Sequence, residues 1–231
     1  MKILITGSDG FLAKNLICHL KEINDIELIL FSKKNSLSQL ESKLNKADFI
    51  FHLAGVNRPD NIKEFTSGNK DLTNFIIKTL MKLNKKTPLL FSSSIQVKLD
   101  NEYGRSKKEA EEIINDYSHF TGAPIFIYRL QNVFGKWSKP NYNSVIATWC
   151  HNIANDKPIE VDDPKSKITL VYVDDVIKSF IDKIPFKKKI EVQDSQFYKI
   201  DKIYEKTLTD IENLLISFKE SRKSLKVEKV G

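Results

Sequence analysis

The 231-residue chain has few of the residues that mark secreted, membrane-spanning or nucleic-acid-binding proteins. It holds two cysteines, Cys18 and Cys150, each inside an apolar stretch. Two thiols cannot build the disulfide framework of a small secreted domain, and a reducing cytoplasm fits their scarcity. No apolar run approaches the ~20 residues that span a bilayer. The N-terminus also runs straight into an apolar strand pattern with no charged leader, so neither membrane nor export is expected. His19, His119 and His151 share no ligand spacing with one another or with either cysteine, so no metal site is expected. Arginine is nearly missing: Arg58, Arg105, Arg129 and Arg222 are set against a Lys and Arg total of 37. The net charge of +7 is therefore scattered lysine, with Lys187-Lys188-Lys189 the one compact run. A nucleic acid calls for clustered Lys and Arg with interleaved aromatics, so none is expected as a partner. The diffuse positive field suits a doubly negative nucleotide-linked substrate better.

What is present is ordinary globular material, 41% hydrophobic, and enough of it for one sizeable α/β core with a smaller lobe. Apolar runs at Ile3–Thr6, Glu27–Phe31, Phe49–Leu53, Leu89–Ser92 and Ile125–Arg129 read as buried strands separated by helix-period segments. That alternation predicts a Rossmann-like, doubly wound parallel sheet with helices on both faces and a small C-terminal substrate-binding lobe. The longest helical pattern, Lys63–Leu83, puts Phe65, Leu72, Phe75, Ile76, Leu80 and Leu83 on one core-facing stripe. Further along, Gly135–Tyr142 reads as a long loop and Ser144–Asn155 as a helix. Ile159–Val161 and Ile168–Tyr172 read as strands, and Asp174–Ile184 as a helix. A last helix is marked by a capping box over Thr209–Glu212, with Leu214, Leu215 and Phe218 on its buried face. We expect one extended domain: residues 1–130 mainly dinucleotide-binding, 131–222 mainly substrate-binding and partly interleaved with the sheet, and 223–231 a tail.

Two constellations carry chemistry. The first runs from Met1 to Ala13, where a buried strand breaks into Gly7, Asp9 and Gly10 and then into a helix opening on Phe11 and Leu12. Glycines there let backbone approach a pyrophosphate, the helix N-terminus attracts its charge, and Ala13 allows close packing on the sheet. The second is Leu89–Ser94 followed by Tyr103-Gly-Arg-Ser-Lys107. Tyr103 and Lys107 are four apart on a helix and share a face, so the ammonium is expected to lower the phenol's pKa and make it a usable general acid or base. The hydroxyls of Ser93 and Ser94, at a strand end, can hydrogen-bond a carbonyl or carbinol oxygen. After the second strand the chain reads Leu30-Phe31-Ser32-Lys33-Lys34. No carboxylate stands there to hold an adenosine ribose, so Ser32 and Lys33 favour NADPH over NADH. Asn57, Arg58 and Lys139 sit in loops after strand ends and are candidate substrate contacts, an arginine suiting a pyrophosphate. His52, on an apolar strand, is read as a satisfied core residue.

Together Thr6-Gly7-x-x-Gly10-Phe11, His52-Leu53-Ala54-Gly55, Ser92-Ser93-Ser94, Tyr103-x-x-x-Lys107, Arg129-x-x-Asn132-x-x-Gly135 and Tyr172-Val173-Asp174-Asp175 resemble the extended short-chain dehydrogenase/reductases, the NAD-dependent epimerase/dehydratase family. The strings His52–Pro59, Ser92–Gln96 and Phe134–Thr148 look like its CapF-type branch, reductases of capsular and O-antigen sugar synthesis. The resemblance implies NADPH-dependent reduction of the carbon-4 ketone of a UDP-linked 2-acetamido-2,6-dideoxy-hexulose. It also implies Ser94 at the reacting oxygen, Tyr103 as proton donor and Lys107 on the ribose hydroxyls. Leu53, Ala54 and Gly55 would line the cofactor, and Asn132 would lie near the substrate phosphates. Relatives usually add a zinc-binding cupin domain, which is expected to be lacking here, and a homodimer is the family expectation. This chain departs from the branch in having Leu130-Gln131-Asn132 where Trp-Pro-Asn is usual. Ser94-Ile95-Gln96 offers no acid pair after the serine, which disfavours a 4,6-dehydratase. A 4-epimerase using the same three residues, or a non-catalytic NADP-binding scaffold or sensor, stays open.

Overall fold

Strands buried on both faces are near-continuous apolar runs, and residues 3–5, 49–51, 89–91 and 125–128 are such runs. The run Glu27–Phe31 instead exposes Glu27 and Leu30, as an edge strand can. The computed structural model describes residues 1–185 and 197–224. In chain order the elements are β1 (Lys2–Thr6), α1 (Phe11–Lys21), β2 (Glu27–Phe31), α2 (Leu37–Lys46) and β3 (Phe49–His52). Next come α3 (Lys63–Phe65), a π-helical stretch (Thr66–Asp71), α4 (Leu72–Lys82), β4 (Leu89–Ser94), a 3₁₀ turn (Ile95–Lys98), α5 (Glu102–Thr121) and β5 (Ile125–Leu130). The remainder is β6 (Asn132–Phe134), α6 (Val145–Ala154), β7 (Lys167–Tyr172), α7 (Val173–Ile181), β8 (Phe197–Tyr198), β9 (Tyr204–Thr207) and α8 (Leu208–Ser224).

The described residues divide into two compact units, residues 1–130 with 174–185 and 197–200, and residues 131–173 with 201–224. The first holds a six-stranded parallel sheet in the order β2-β1-β3-β4-β5-β8. This is the Rossmann-like doubly wound arrangement that the alternating pattern predicts. One face buries Leu4, Phe31, Ile50, Phe91 and Ile127 against Leu40 and Leu44 of α2, Ile76 and Leu80 of α4, and Ile114 and Tyr117 of α5. The alternate residues Ile3, Ile5, Phe49, Phe51 and Tyr128 are fully buried too. Phe180 of α7 stacks on Phe51 and meets Tyr128 edge-on on that face. Each such side chain removed from water stabilises the fold by roughly 1.5–3 kcal/mol.

The second unit carries a three-stranded sheet, β6-β7-β9, with β6 parallel and β9 antiparallel to β7. Trp149, Leu170 and Ile211 form its small core. Ile159 and Val161 pack onto that core, yet no strand forms at Ile159–Val161, because their backbone finds no ladder partner. The capping box of α8 lies two residues earlier than the pattern suggested. The Thr207 hydroxyl accepts from Asp210 N–H at 3.1 Å, and the Asp210 carboxylate accepts from Thr207 N–H at 3.2 Å. α8 also runs past Arg222 to Ser224, so the tail expected from 223 loses its first two residues to the helix. Residues 225–231 and Lys187-Lys188-Lys189 lie outside the described residues.

Candidate active site

Winding from β1 outward to β2, then back across β1 to β3, places the reversal of strand order between the ends of β1 and β3. Ligands of open α/β sheets bind outside such a point. Here Thr6 pairs with His52 in register, and the chain leaves both strands on the same side. Gly7 turns with φ +69°, and Gly10 N–H closes the turn onto Gly7 C=O at 2.8 Å. α1 begins after Gly10 with no side-chain cap and no acidic residue in its first turn. Its leading N–H groups, beginning at Phe11 and Leu12, are therefore left for an anion. Asp9 and Gly10 are exposed and Phe11 and Leu12 half-buried.

A buried polar chain ties the two strand ends to the helix behind them. Ala54 N–H donates to Thr6 Oγ1 at 3.2 Å, Thr6 Oγ1 meets His52 Nδ1 at 2.8 Å, and His52 Nε2 meets Thr73 Oγ1 at 2.8 Å. Thr73 spends its own proton on the Asn69 carbonyl at 2.7 Å, so its oxygen must accept from Nε2–H. That fixes the tautomer, with Nδ1 accepting from Thr6. Burial, with the Lys107 charge adding to it, lowers the His52 pKa to about 3, so His52 is a neutral core residue here. Because the unfolded ring titrates near 6.5 and the folded one refuses the proton, its contribution to stability is intact above 6.5. It is lost progressively toward 3, at up to ~1.4 kcal/mol per pH unit. Urea midpoints at pH 7 and pH 5 should therefore separate clearly in the wild type and much less in His52→Gln, which keeps one acceptor and one donor. An equal separation would remove His52 as the cause.

The second half of the site is built where β4 ends against the first turns of α5. Asn101 caps α5 by accepting from Gly104 N–H at 2.7 Å, which starts the helix at Glu102 and lets Tyr103 reach Ser94. The Tyr103 hydroxyl stands close enough to Ser94 for the serine side chain to favour the phenolate. One turn on, Lys107 Nζ donates to Ser92 C=O at 3.0 Å and stands 4.6 Å above the centre of the Phe91 ring. The spacing thus puts Tyr103, Lys107 and Ser94 at one corner, but the expected acidification of the phenol does not occur. Burial raises the Tyr103 pKa, and the Ser94 side chain opposes that rise. Lys107 is turned instead to the Ser92 carbonyl, and burial lowers its own pKa to about 8 against the pull of Glu111.

Ser93 faces away from the position its sequence neighbourhood suggests. Its hydroxyl donates to Glu111 Oε1 at 2.5 Å and is buried, so it does not face a substrate. Leu53, Ala54 and Gly55 open the loop after β3 and lie against this corner. A Cβ at Gly55 would stand 2.9 Å from Lys107 Nζ and 2.9 Å from Asn69 Oδ1. The same loop carries half-buried Asn57 and exposed Arg58. At the end of β2, Ser32 is buried with its N–H on Asn35 Oδ1 at 3.0 Å, while Lys33 is exposed. Asn132 and Lys139 belong to the second unit. Asn132 Nδ2 donates to Thr169 C=O at 3.1 Å, and Lys139 Nζ lies 5.5 Å from the Tyr142 ring centre.

Three residues were not read from the sequence as part of the site. Asn69, in the π-helical stretch, accepts from Val56 N–H and donates to Val56 C=O, both at 2.9 Å, and also donates to Ser106 Oγ at 2.9 Å. It thereby fixes the 53–56 loop to the turn that carries Tyr103. Its signal was available: position 69 falls on the apolar stripe between Phe65 and Leu72, where a buried amide needs a reason. Phe65 itself packs on the Tyr103 ring, centroids 5.7 Å apart. Glu111 is the third; its signal was the i, i+4 spacing from Lys107 that Glu112 lacks. Cys18 and Cys150 are free and exposed. Among the described residues no group of three His, Cys, Asp or Glu could hold a metal, and no helix is long and apolar enough to cross a membrane.

A glycine turn at a strand-order switch point, beside a Tyr-Ser pair with a buried lysine one helical turn away, defines a dinucleotide-binding fold. The chain belongs to the NAD dependent epimerase/dehydratase family, whose pattern matches residues 3–185. Over all of its length it is 43% identical to UDP-2-acetamido-2,6-beta-L-arabino-hexul-4-ose reductase of Pseudomonas aeruginosa, of which it covers 61%. Over 89% of its length it is 28% identical to GDP-6-deoxy-D-talose 4-dehydrogenase of Aggregatibacter actinomycetemcomitans, of which it covers 78%. Among solved structures, capsular polysaccharide assembling protein CapF from Staphylococcus aureus superposes with a TM-score of 0.87 at 41% identity, over 99% of this chain and 61% of that one. UDP-glucuronic acid 4-epimerase from Bacillus cereus, solved with NAD, shares the fold at 18% identity with a TM-score of 0.82, over 99% of this chain and 86% of that one. The chain thus spans about three fifths of the length of the Pseudomonas reductase and of CapF.

Proposed function

We propose that this chain reduces the carbon-4 ketone of a UDP-linked 2-acetamido-2,6-dideoxy-hexulose with NADPH. The observation that carries the reading is the convergence of Tyr103, Ser94 and buried Lys107 at the end of β4. The likeness to the Pseudomonas reductase supports the choice of substrate. The residues present fit a dinucleotide. The uncapped start of α1 offers N–H groups to a pyrophosphate, and the bare Gly55 surface leaves open a space beside Lys107 that a side chain would fill. Gly7, Asp9, Gly10, Phe11 and Leu12 would hold the phosphates, Leu53, Ala54 and Gly55 would line the cofactor, and Lys107 would hold the ribose hydroxyls. When bound, the reduced dinucleotide supplies hydride to the ketone carbon. Ser94 donates a hydrogen bond to the ketone oxygen, and Tyr103 passes its phenolic proton to that oxygen as negative charge develops on it. Solvent then restores the proton to Tyr103. Exposed Lys33, with no carboxylate at the end of β2, supports a 2′-phosphate and hence NADPH. Asn57, Arg58, Asn132 and Lys139 are assigned to the nucleotide-sugar, each to be read as a rise in KM on replacement by Ala.

The test is NADPH oxidation followed by absorbance with a UDP-2-acetamido-2,6-dideoxy-4-hexulose. We expect one NADPH consumed per sugar reduced, and a higher kcat/KM with NADPH than with NADH. A cofactor that is recycled without net consumption, with the sugar inverted at carbon 4, would mean an epimerase. Binding with no turnover of any keto-sugar would mean a scaffold.

A further inference from the structure

The proton transfer described above leaves one buried ionic cluster without a role. Glu111 is 2% exposed. Its carboxylate accepts from Ser93 Oγ, from Arg129 Nε at 3.0 and 3.3 Å, and from Arg129 Nη2 at 2.7 Å. Arg129 lies opposite Ser93 in the β4–β5 register and carries the Phe197 ring 4.1 Å from its guanidinium carbon. Tyr103, Lys107 and Glu111 are successive i, i+4 positions of α5, and each grips the end of β4: Tyr103 at Ser94, Lys107 at the Ser92 carbonyl, Glu111 at Ser93.

We propose that Glu111 is a positioning residue for this stripe, its carboxylate, anchored by Arg129 and Ser93, holding Lys107 as an ammonium on the Ser92 carbonyl. The inference rests on the reductase reading only for its turnover readout. If the cluster served packing alone, an apolar side chain would do as well, since buried ion pairs are often replaced by hydrophobic groups at no cost in stability. An apolar side chain cannot supply negative charge beside Lys107. The groups that face Lys107 are few. On α5 they are Tyr103 and Glu111, on β4 the Phe91 ring and the Ser92 carbonyl, and on β3 His52, which is neutral. Asn69 and Gly55 add no charge. The Lys70–Glu109 pair, 3.2 Å apart on the exposed side of α5, is self-neutralising. Glu111 is the carboxylate that favours the charged form of Lys107 against its burial.

Glu111→Gln keeps the shape and removes the charge. Lys107 is titrated through its ε-carbon by NMR in 13C-lysine protein, its signal assigned by its loss in Lys107→Met. The wild-type midpoint is expected at about 8, and the variant's lower by about one pH unit or more. The alkaline limb of kcat/KM should move down with it. Should Glu111→Gln fail to fold, the double variant Glu111→Gln/Arg129→Met removes both members of the buried pair, and its Lys107 midpoint, expected below that of Arg129→Met alone, isolates the lost carboxylate. A midpoint that stays in place, with only a lower melting temperature, would overturn the proposal and leave Glu111 a structural residue. The lysine titration needs no turnover, so it stands or falls whether or not the keto-sugar is a substrate.

Discussion

Tyr103→Phe is expected to lower kcat by about 10²–10⁴-fold while leaving NADPH affinity within a few-fold of wild type. The removed atom is the proposed proton donor and the neighbour of Ser94, whereas the ring that packs on Phe65 is kept. Losing at most one hydrogen bond at this corner costs ~0.5–1.5 kcal/mol of stability, too little to unfold a domain of this size. Rate and cofactor binding should therefore separate, and fluorescence titration of NADPH beside steady-state turnover measures both. Equal turnover in the two proteins would take Tyr103 out of the mechanism, and a parallel loss of affinity would make it a cofactor-site residue.

The pH dependence sharpens this. In the reducing direction the phenol must be protonated, and burial raises its pKa, so it keeps its proton through the neutral range and above. Lys107, lowered to about 8, loses its charge first. The profile of kcat/KM, which reports the free enzyme, should therefore be flat below neutrality and fall from about 8 upward. The falling limb belongs to the lysine, a reversal of the simple picture in which an ammonium acidifies its neighbouring tyrosine. Bound oxidised cofactor, with its positive ring, would pull the phenol down in the opposite reaction, so that oxidation and reduction should differ in their alkaline behaviour.

Much of this arrangement was legible before any coordinates. The five parallel strands follow from five apolar runs, and the Tyr103–Lys107 pairing follows from i, i+4 geometry, because local period alone decides both. What escaped depends on contacts between distant segments. β6, β8 and β9 have two to four residues each, too short to show a period, and exist because a neighbouring strand supplies their ladder. Ile159–Val161 had the right composition for a strand and no such neighbour. Ser93 and Ser94 are chemically alike in sequence. Only the approach of α5 assigns one to Tyr103 and the other to Glu111. The sign of the phenol's shift was missed for the same reason: spacing gives proximity to an ammonium, but burial and the direction of Nζ are properties of the packed interior.

The largest effect on the fold itself is expected from Gly7→Ala. The residue sits at φ +69°, a conformation that costs a side-chain-bearing residue roughly 1–2 kcal/mol. A Cβ there would also stand 2.7 Å from Ala54 Cα, 2.8 Å from Ala54 N and 3.1 Å from Leu53 C. All three are main-chain atoms, so no rotamer change relieves the contact, and either the β1 turn or the 53–56 loop must move. Moving the loop breaks the Ala54 N–H to Thr6 bond and strains the Asn69 bonds to Val56, which hold it beside Lys107. We expect a loss of about 2–4 kcal/mol in stability and loss of measurable dinucleotide binding. Gly10→Ala separates the two effects. Gly10 has an ordinary φ of −78°, and its Cβ would meet only Gly7 O at 3.0 Å, so the apo protein should melt within a few degrees of wild type. Its affinity for the dinucleotide should nonetheless fall, because the added methyl occupies the space at the start of α1 that the pyrophosphate would take. Thermal melts without ligand, beside NADPH titrations, give both quantities. If Gly7→Ala melted like wild type, the close approach of the two strand ends would not be a feature of the molecule. If Gly10→Ala bound NADPH unchanged, the phosphates would have to lie elsewhere than at the start of α1.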